Sequence, residues 1–349
     1  MGGYSFSAVV ITRHRPGLLR ACLEGLVRAL AGTGGELVVA INGPDGASLA
    51  LAREMAQGRD FIRVLQLAGL CRGEARNAAM AAAGGEWFCF FDDDTVAAPD
   101  HFRNLKDLAA AFPEASAFGG GQEIDRASAG VVERAIFRVT GSPFGAGPFV
   151  ARFRPAAGEA VRVAGESLIL CNLAVRRDFL EKHGLSFEGH FTSAEENLLL
   201  NKMEALGAVM VLSPGLNLIH RRRTSLGGFF AQNFRSGMGR AQITFYHRAG
   251  FSAFTALPPA ALLCAAGAFA IFPRLGGAAC LAYLLPLLFF SVRAGAQERC
   301  FRVCAAAAAA LAGLHLSYAL GWFCGAAGVA ADRLRGRVMP SRCVCREIP

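Results

Sequence analysis

Three consecutive aspartates, Asp92, Asp93 and Asp94, follow the aromatic run "WFCFF" at 87–91. Adjacent carboxylates repel, so a cation, a helix N-terminus or open solvent must compensate them. Asp100, ahead of "HFRNLKDL", already offers a helix cap. A divalent ion is therefore the better explanation for a buried strand that ends in this way. Carboxylates at i and i+2 beyond a strand can point together and hold Mg²⁺ or Mn²⁺ through oxygen, with water and substrate phosphates completing the shell. A second acidic pair, Glu195 and Glu196, opens the helical stretch "SAEENLLLNKMEALG", with Ser193 as its expected N-cap. Two glutamates at a helix start are favoured by the helix dipole alone. A carboxylate there is equally able to serve as a general base.

These residues need a scaffold, and the first hundred positions supply one. Short, continuously apolar runs at 6–11, 36–41, 61–67 and 87–91 alternate with helical patterns, as in Leu18, Leu19, Cys22, Leu23, Leu26 and Leu30 after Pro16. Such strands predict a mostly parallel sheet covered by helices on both faces. Ligands bind such sheets beyond the carboxyl ends of the strands. Thr12–Arg15, Asn42–Asp45 and the aspartates share that rim. A dinucleotide-binding GxGxxG is excluded, because "TRHRPG" follows the first strand, and no GxxxxGK[ST] phosphate loop occurs. "GGG" at 119–121 is expected to be a turn. Further strands are expected at 168–175, 208–212 and 217–220.

The last third differs in kind. No Asp or Glu lies between Glu204 and Glu298, and residues 253–272, 275–292 and 303–332 form three apolar stretches. Each is long enough for a membrane helix. Three crossings would put Arg333, Arg335 and Arg337 opposite the catalytic side, against the positive-inside rule, unless some of these segments are re-entrant or interfacial. The net charge is +9, and Arg221, Arg222, Arg223, Arg235 and Arg240 precede the first stretch. Basic residues so placed suit lipid headgroups or a phosphate-bearing substrate, and nucleic acid is not expected as a partner. The eleven cysteines, Cys300, Cys304, Cys343 and Cys345 among them, form no CxxC pair and read as reduced thiols. That places the catalytic part in the cytosol. The apolar run 6–11 is too short for a signal peptide.

Taken in order, "AVVITRHRP", "LVVAINGPDG", "CRGEARNAAMAAAGGEWFCFFDDD", "CNLAVRRDFLEKHG" and "SAEENLLL" resemble the family 2 glycosyltransferases of GT-A fold. The resemblance implies a Rossmann-like α/β domain followed by membrane helices, a nucleotide-sugar donor, a divalent metal on a DxD motif and a carboxylate base. Asp92 and Asp94 match the ends of DxD, with Asp94 the expected metal ligand, Asp92 toward the ribose or base, and Asp93 the variable centre. Thr12 and Arg15 are expected at the nucleotide sugar. Asn42 stands where the family often has an Asp reading the nucleobase, and Arg76 and Asn77 match an "RN" pair near the nucleotide. Glu196 occupies the usual position of the base, as Glu in place of Asp, which leaves Glu195 and Glu196 both open. His220 matches a histidine near the metal or diphosphate. "QNFR" resembles the acceptor-site QxxRW with Ser236 replacing Trp, which makes Gln232 and Arg235 acceptor-binding candidates. "HLSYALGWFCG" at 315–325 resembles the membrane tail of succinoglycan-type glucosyltransferases.

The expected organisation is a GT-A domain at 1–220, a basic interfacial segment at 221–252, about three membrane helices at 253–332 and a basic tail at 333–349. The expected activity is inverting transfer from a UDP- or GDP-sugar to a lipid-linked saccharide at the cytosolic face of the cell membrane, for exopolysaccharide or another surface glycan. A polyprenyl-phosphate sugar synthase or processive synthase is the alternative within this class. A non-catalytic nucleotide-binding subunit is the alternative outside it. Three apolar stretches without paired intramembrane charges disfavour a transporter.

Overall fold

The structure is a computed structural model that describes residues 6–189, 191, 193–247 and 253–337. The 248–252 part of the basic segment, the tail from 338, and with it Cys343 and Cys345, lie outside the described residues. The chain opens with strands β1 (Phe6–Thr12), β2 (Glu36–Asn42), β3 (Ile62–Leu67) and β4 (Trp87–Asp92). Between them run helices α1 (Pro16–Leu30), α2 (Gly46–Ala56) and α3 (Arg72–Ala82). β5 (Thr95–Ala97), α4 (His101–Ala111), β6 (Ala115–Gly119) and β7 (Gln122–Glu123) follow. Next come α5 (Val131–Thr140), α6 (Pro143–Ala146), β8 (Val161–Arg162), β9 (Asn172–Arg176) and α7 (Arg177–Lys182). α8 (Glu195–Ala205), β10 (Val209–Leu212) and β11 (Leu218–His220) complete the α/β part.

The main sheet has the order β3-β2-β1-β4-β9-β6-β10-β8. β1 to β4 are parallel, as their apolar runs predict, while β9 runs antiparallel to both β4 and β6. Alternate residues of each strand feed two cores. Phe6, Ala8 and Val10 pack with α1 and α4, whereas Val9, Phe88 and Phe90 pack with α3, α7 and α8. Burial on both faces is why these strands show no polar alternation. A small second sheet, β5-β11-β7, sets β11 against β5 so that His220 lies opposite Thr95, next to the aspartates.

Three local expectations change. α8 is preceded by Ala194 in the left-handed region, φ 69°, with no side-chain cap, so Ser193 is not its N-cap. Asp100 precedes α4 but makes no capping hydrogen bond. "GGG" is not a turn: a Cβ at Gly120 would fall 2.2 Å from the Leu216 carbonyl oxygen, and one at Gly121 2.2 Å from the Ala156 nitrogen. Glycine lets backbones meet here. Cys22, Cys89, Cys171, Cys264, Cys280, Cys300, Cys304 and Cys324 are free thiols as expected, but Cys71 is disulfide-bonded.

The remaining elements are α9 (Leu226–His247) and three long apolar helices, α10 (Ala253–Ile271), α11 (Pro273–Gln297) and α12 (Phe301–Leu334). By length and composition each of the three is able to cross a membrane. α12 packs along α9 through small residues, with Gly237 against Tyr318, Gly321 against Phe234 and Gly325 against Met238. Its first half joins Ala135, Ile136 and Val139 of α5 in one apolar cluster. Glu298, between α11 and α12, pairs with Arg126, Arg134 and Arg138.

Candidate active site

The ends of β1 and β4 are in register, Ile11 beside Asp92, which sets Thr12 next to the acidic run. Thr12 Oγ1 donates to Asp93 Oδ2 at 2.6 Å. Arg15, at the start of α1, reaches both Asp93 Oδ1 (3.2 Å) and Asp94 Oδ2 (3.1 Å). Asp94 is further surrounded by His220 Nε2 at 3.1 Å and Arg223 at 3.9 Å. Its Oδ1 is buried and makes no well-aligned hydrogen bond. Asp92 is the open member, with its side chain 45 % exposed and Arg76 at 4.0 Å.

Surroundings separate the three carboxylates. Burial raises the Asp94 carboxyl, but His220, Arg15 and Arg223 outweigh it and hold the group well below the usual carboxylate range. Asp93 is pushed up to about 6 by burial and then by Asp94, against the hydrogen bond from Thr12 and the charge of Arg15. Among the described residues no three His, Cys, Asp or Glu side chains form a metal cage. The oxygens of Asp92 and Asp94 still fit Mg²⁺ or Mn²⁺, which bind through one or two carboxylates together with substrate phosphates. His220 fits less well as a ligand than expected. Its Nδ1 is 2.5 Å from Gln122 Oε1 and its Nε2 faces Asp94, so both ring nitrogens already have neighbours within the protein.

The two glutamates at the start of α8 part company. Glu195 is 3 % exposed and paired with Arg76. Burial raises its carboxyl, Arg76 and Arg72 more than offset this, and it stays below its ordinary value. Glu196 lines the open cavity, and there burial and then the charge of Glu195 raise its carboxyl despite Arg152 and Arg240. A carboxylate that is accessible and unusually basic is the one equipped to take a proton. Ala194, in its left-handed conformation just before the pair, fixes the angle at which they enter the site at a cost of about 1–2 kcal/mol. The cavity, about 1850 Å³, extends from the aspartates past Glu196 and on between α10, α11 and α12.

Residues 7–142 match the family model described as "Glycosyl transferase family 2". This segment is a family 2 glycosyltransferase domain. The fold is similar to that of the mannosyltransferase PcManGT from Pyrobaculum calidifontis, solved in complex with GDP-Man and Mn²⁺. The TM-score is 0.60 at 18 % identity, over 89 % of this chain and 88 % of that one. S. aureus TarS residues 1–349 match at a TM-score of 0.48 and 15 % identity, over 95 % and 92 % of the two chains. No curated protein sequence matches significantly.

Every expected site residue lines this cavity except Glu195, Asn77 and His220. Asn77 spends both ends of its amide on the backbone of Phe187, donating to its oxygen at 2.8 Å and accepting from its nitrogen at 3.0 Å. It therefore holds the loop before α8 and does not reach toward a nucleotide. Asn42 likewise clamps Leu70, with both bonds at 2.8 Å, and shapes the cavity wall while lining it. Gln232 and Arg235 come in from α9, and Gln232 Oε1 accepts from Arg223 Nε at 3.3 Å. That bond links the "QNFR" segment to Asp94 through Arg223.

Arg72 and Arg152 of the cavity wall were not among the expected residues, whereas Arg223 and Arg240 belong to the basic run expected to face lipid headgroups or a phosphate-bearing substrate. Arg72 stands inside the recognised "CRGEARN" stretch. Arg240 lies eight positions after Gln232, close to the same face of α9, and that spacing was a usable signal. Arg152 belongs to a 3₁₀ segment, Gly147–Phe153, that carries no motif at all.

Proposed function

We propose that the chain transfers a sugar from a UDP- or GDP-sugar to a lipid-linked saccharide at the cytosolic membrane face, with inversion at the anomeric carbon. The destination is exopolysaccharide or another surface glycan. One observation carries the reading. Glu196, an accessible carboxylate raised above its ordinary value by burial and by Glu195, shares a cavity with Asp92–Asp94, and that cavity continues between apolar helices. The GDP-Man and Mn²⁺ bound by the similar mannosyltransferase support a nucleotide diphosphate donor and a divalent ion for this chain.

Asp92 and Asp94 would hold Mg²⁺ or Mn²⁺, which when bound stabilises charge developing on the leaving diphosphate. Arg15 and Arg223 neutralise the aspartates in its absence and lie where donor phosphates would arrive. Asn42 shapes the wall of the nucleotide pocket through the Leu70 loop. Glu196 removes the proton of the acceptor hydroxyl as that oxygen attacks, while Glu195 holds Arg76 in place beside Asp92. The apolar helices anchor the enzyme in the membrane.

Purified full-length protein in detergent, screened with nucleotide sugars, should release UDP or GDP only with Mg²⁺ or Mn²⁺ present. Release that persists at full rate in excess chelator would overturn the role given to the aspartates.

A further inference from the structure

Two arginines of the cavity wall have no assigned partner in the donor chemistry. Arg152 is 4 % exposed, and its Nε and Nη2 donate to the backbone oxygens of Glu166 and Gly165. Arg240, on α9, donates from Nη2 to Asn197 Oδ1 at 2.8 Å. Both guanidinium groups lie against the ring of Phe149, at 5.5 Å and 5.3 Å from its centroid. No carboxylate of the described residues is within 4 Å of either. The nearest acidic influences are Glu196 and Glu166 on Arg152, and burial followed by the charge of Arg240 pushes the Arg152 guanidinium down to about 9. Two cations crowded around one ring in a buried wall are costly unless an anion joins them.

Their position says which anion. They adjoin Glu196, the base, and a base must touch the acceptor, so they lie on the acceptor side of the reaction and away from the donor cluster of Asp92–Asp94. Beyond them the wall turns apolar, through Leu257, Ala261 and Ala265 of α10, Ala279 of α11 and Leu316 of α12. Tyr283, Tyr318 and His315 are the polar groups of that part, and they are occupied among themselves and with backbone oxygens of Phe144 and Thr255.

We propose that Arg152 and Arg240 seat a phosphate of the acceptor, and that the apolar arm of the cavity takes the lipid chain attached to it. This rests on the lipid-linked acceptor proposed above and names the part of that acceptor the protein holds. Arginine suits the task because its planar fork meets phosphate oxygens in pairs. The chain enters along α10, where small side chains leave room, and its phosphate stops at the arginines. The sugar beyond the phosphate is then delivered to Glu196.

The test measures binding of full-length protein to vesicles doped with a long-chain polyprenyl phosphate, against vesicles doped with the uncharged polyprenol. Inorganic pyrophosphate is added as a competitor in a third arm. The phosphate-bearing lipid should bind at least tenfold tighter than the alcohol, and pyrophosphate should compete only at far higher concentration. Arg240→Gln should reduce binding of the phosphate-bearing lipid to the level of the alcohol, with donor-nucleotide affinity unchanged. Arg152→Gln should do the same, and Arg240 remains decisive if that buried variant does not fold. Ala265→Trp should weaken both lipids together. Unchanged lipid binding in Arg240→Gln, with only a displaced pH profile, would make the arginines counter-charges of Glu196 and overturn the seat. Pyrophosphate binding as tight as the lipid would overturn the lipid chain. Lipid binding with no sugar transfer to any lipid acceptor would leave the seat standing and remove the proposed reaction instead.

Discussion

Around the aspartates, charge is dense and comes from distant parts of the chain. Arg15 meets Asp93 and Asp94 across β1 and β4, Arg76 meets Glu195 from α3 to α8, and Arg223 arrives from beyond β11. The helices α10 to α12 are the reverse, carrying almost no charge and presenting Leu263, Ile271, Leu285, Phe289 and Leu320 to the outside. The rim is held by compensation between opposite charges, so each loss leaves a neighbour exposed electrostatically. The platform is held by close approach of small residues and requires lipid on its outer face. α9 joins them, since one side of it carries Gln232 and Arg240 into the cavity and another receives α12.

The largest expected effect tests how the platform meets the membrane. α12 packs on α5 and α9 from Val303, in the cluster with α5, to Asp332, which accepts from Tyr246 Oη of α9 at 2.8 Å. At 1.5 Å per residue that contact is roughly 45 Å long, more than the ~30 Å of a bilayer core. A helix crossing the bilayer would touch the rest of the chain only near one end, so α12 is expected to lie along the membrane face. On that expectation only α10 and the first part of α11 would enter lipid, as a hairpin. Arg333, Arg335 and Arg337 then stay on the catalytic side, which removes the conflict with the positive-inside rule. An epitope appended after the C-terminus should be cleaved by protease in inside-out vesicles and protected in sealed cells. The opposite pattern would mean that α12 crosses.

Next in size is the contrast between adjacent glutamates on the rim. Glu196→Gln should lower kcat by about 10²–10⁴ with thermal stability unchanged, because it removes the base without disturbing an ion pair. Glu195→Gln should instead lower stability by roughly 3–5 kcal/mol, since it strands the buried Arg76. For the wild type, the raised carboxyl of Glu196 implies a rate that falls on acidification at a pH above the ordinary carboxylate range. Glu196→Gln should erase that limb. If Glu195→Gln were the silent-stability, dead variant, the two roles would have to be exchanged.

On the platform, Glu298 is the charged exception. Its side chain is 3 % exposed and is held by Arg126, Arg134 and Arg138, two of which lie on α5. Glu298→Ala should cost roughly 3 kcal/mol and loosen the α11–α12 turn from the catalytic part, by thermal unfolding in detergent and by increased protease access near 299. A neutral result would mean that the apolar cluster alone docks the helices.

Much of the rim was legible because a strand that ends in polar residues announces both its direction and the edge it reaches. Thr12, Arg15, Asn42 and Asp92–Asp94 needed only that rule. The antiparallel course of β9 was not legible, since a buried strand reads the same in either direction. Arg152 and Arg240 gave no motif, because they meet only after α9 has packed against α8. The packing of α12 against α5, α9 and α11 was hidden for a different reason. Hydropathy reports affinity for an apolar environment, and α5, α9 and α11 supply much of that environment to α12. Gly313, Gly321 and Gly325 did mark the helix-packing face, each lying where a Cβ would strike α9.

The smallest effect expected here returns to the rim and concerns Asp93, 5 % exposed and raised to about 6. A carboxyl whose folded value lies above its unfolded one, 3.8, binds its proton more tightly when folded. Its contribution to stability is complete below the unfolded value and is lost as pH rises through about 6. The shift is worth up to about 3 kcal/mol in protein free of donor and metal. Other groups, Asp94 among them, slope the other way, so the measurable quantity is the difference between wild type and Asp93→Asn. The asparagine still accepts from Thr12 and carries no charge to desolvate, so it should match the wild type near pH 3 and exceed it near pH 7.5 in chelator-treated samples. Adding divalent ion and donor should shrink that advantage, because an ion nearby relieves the repulsion that raises Asp93. An advantage independent of pH would show that Asp93 is ionised throughout, and that Arg15 compensates it as fully as it does Asp94.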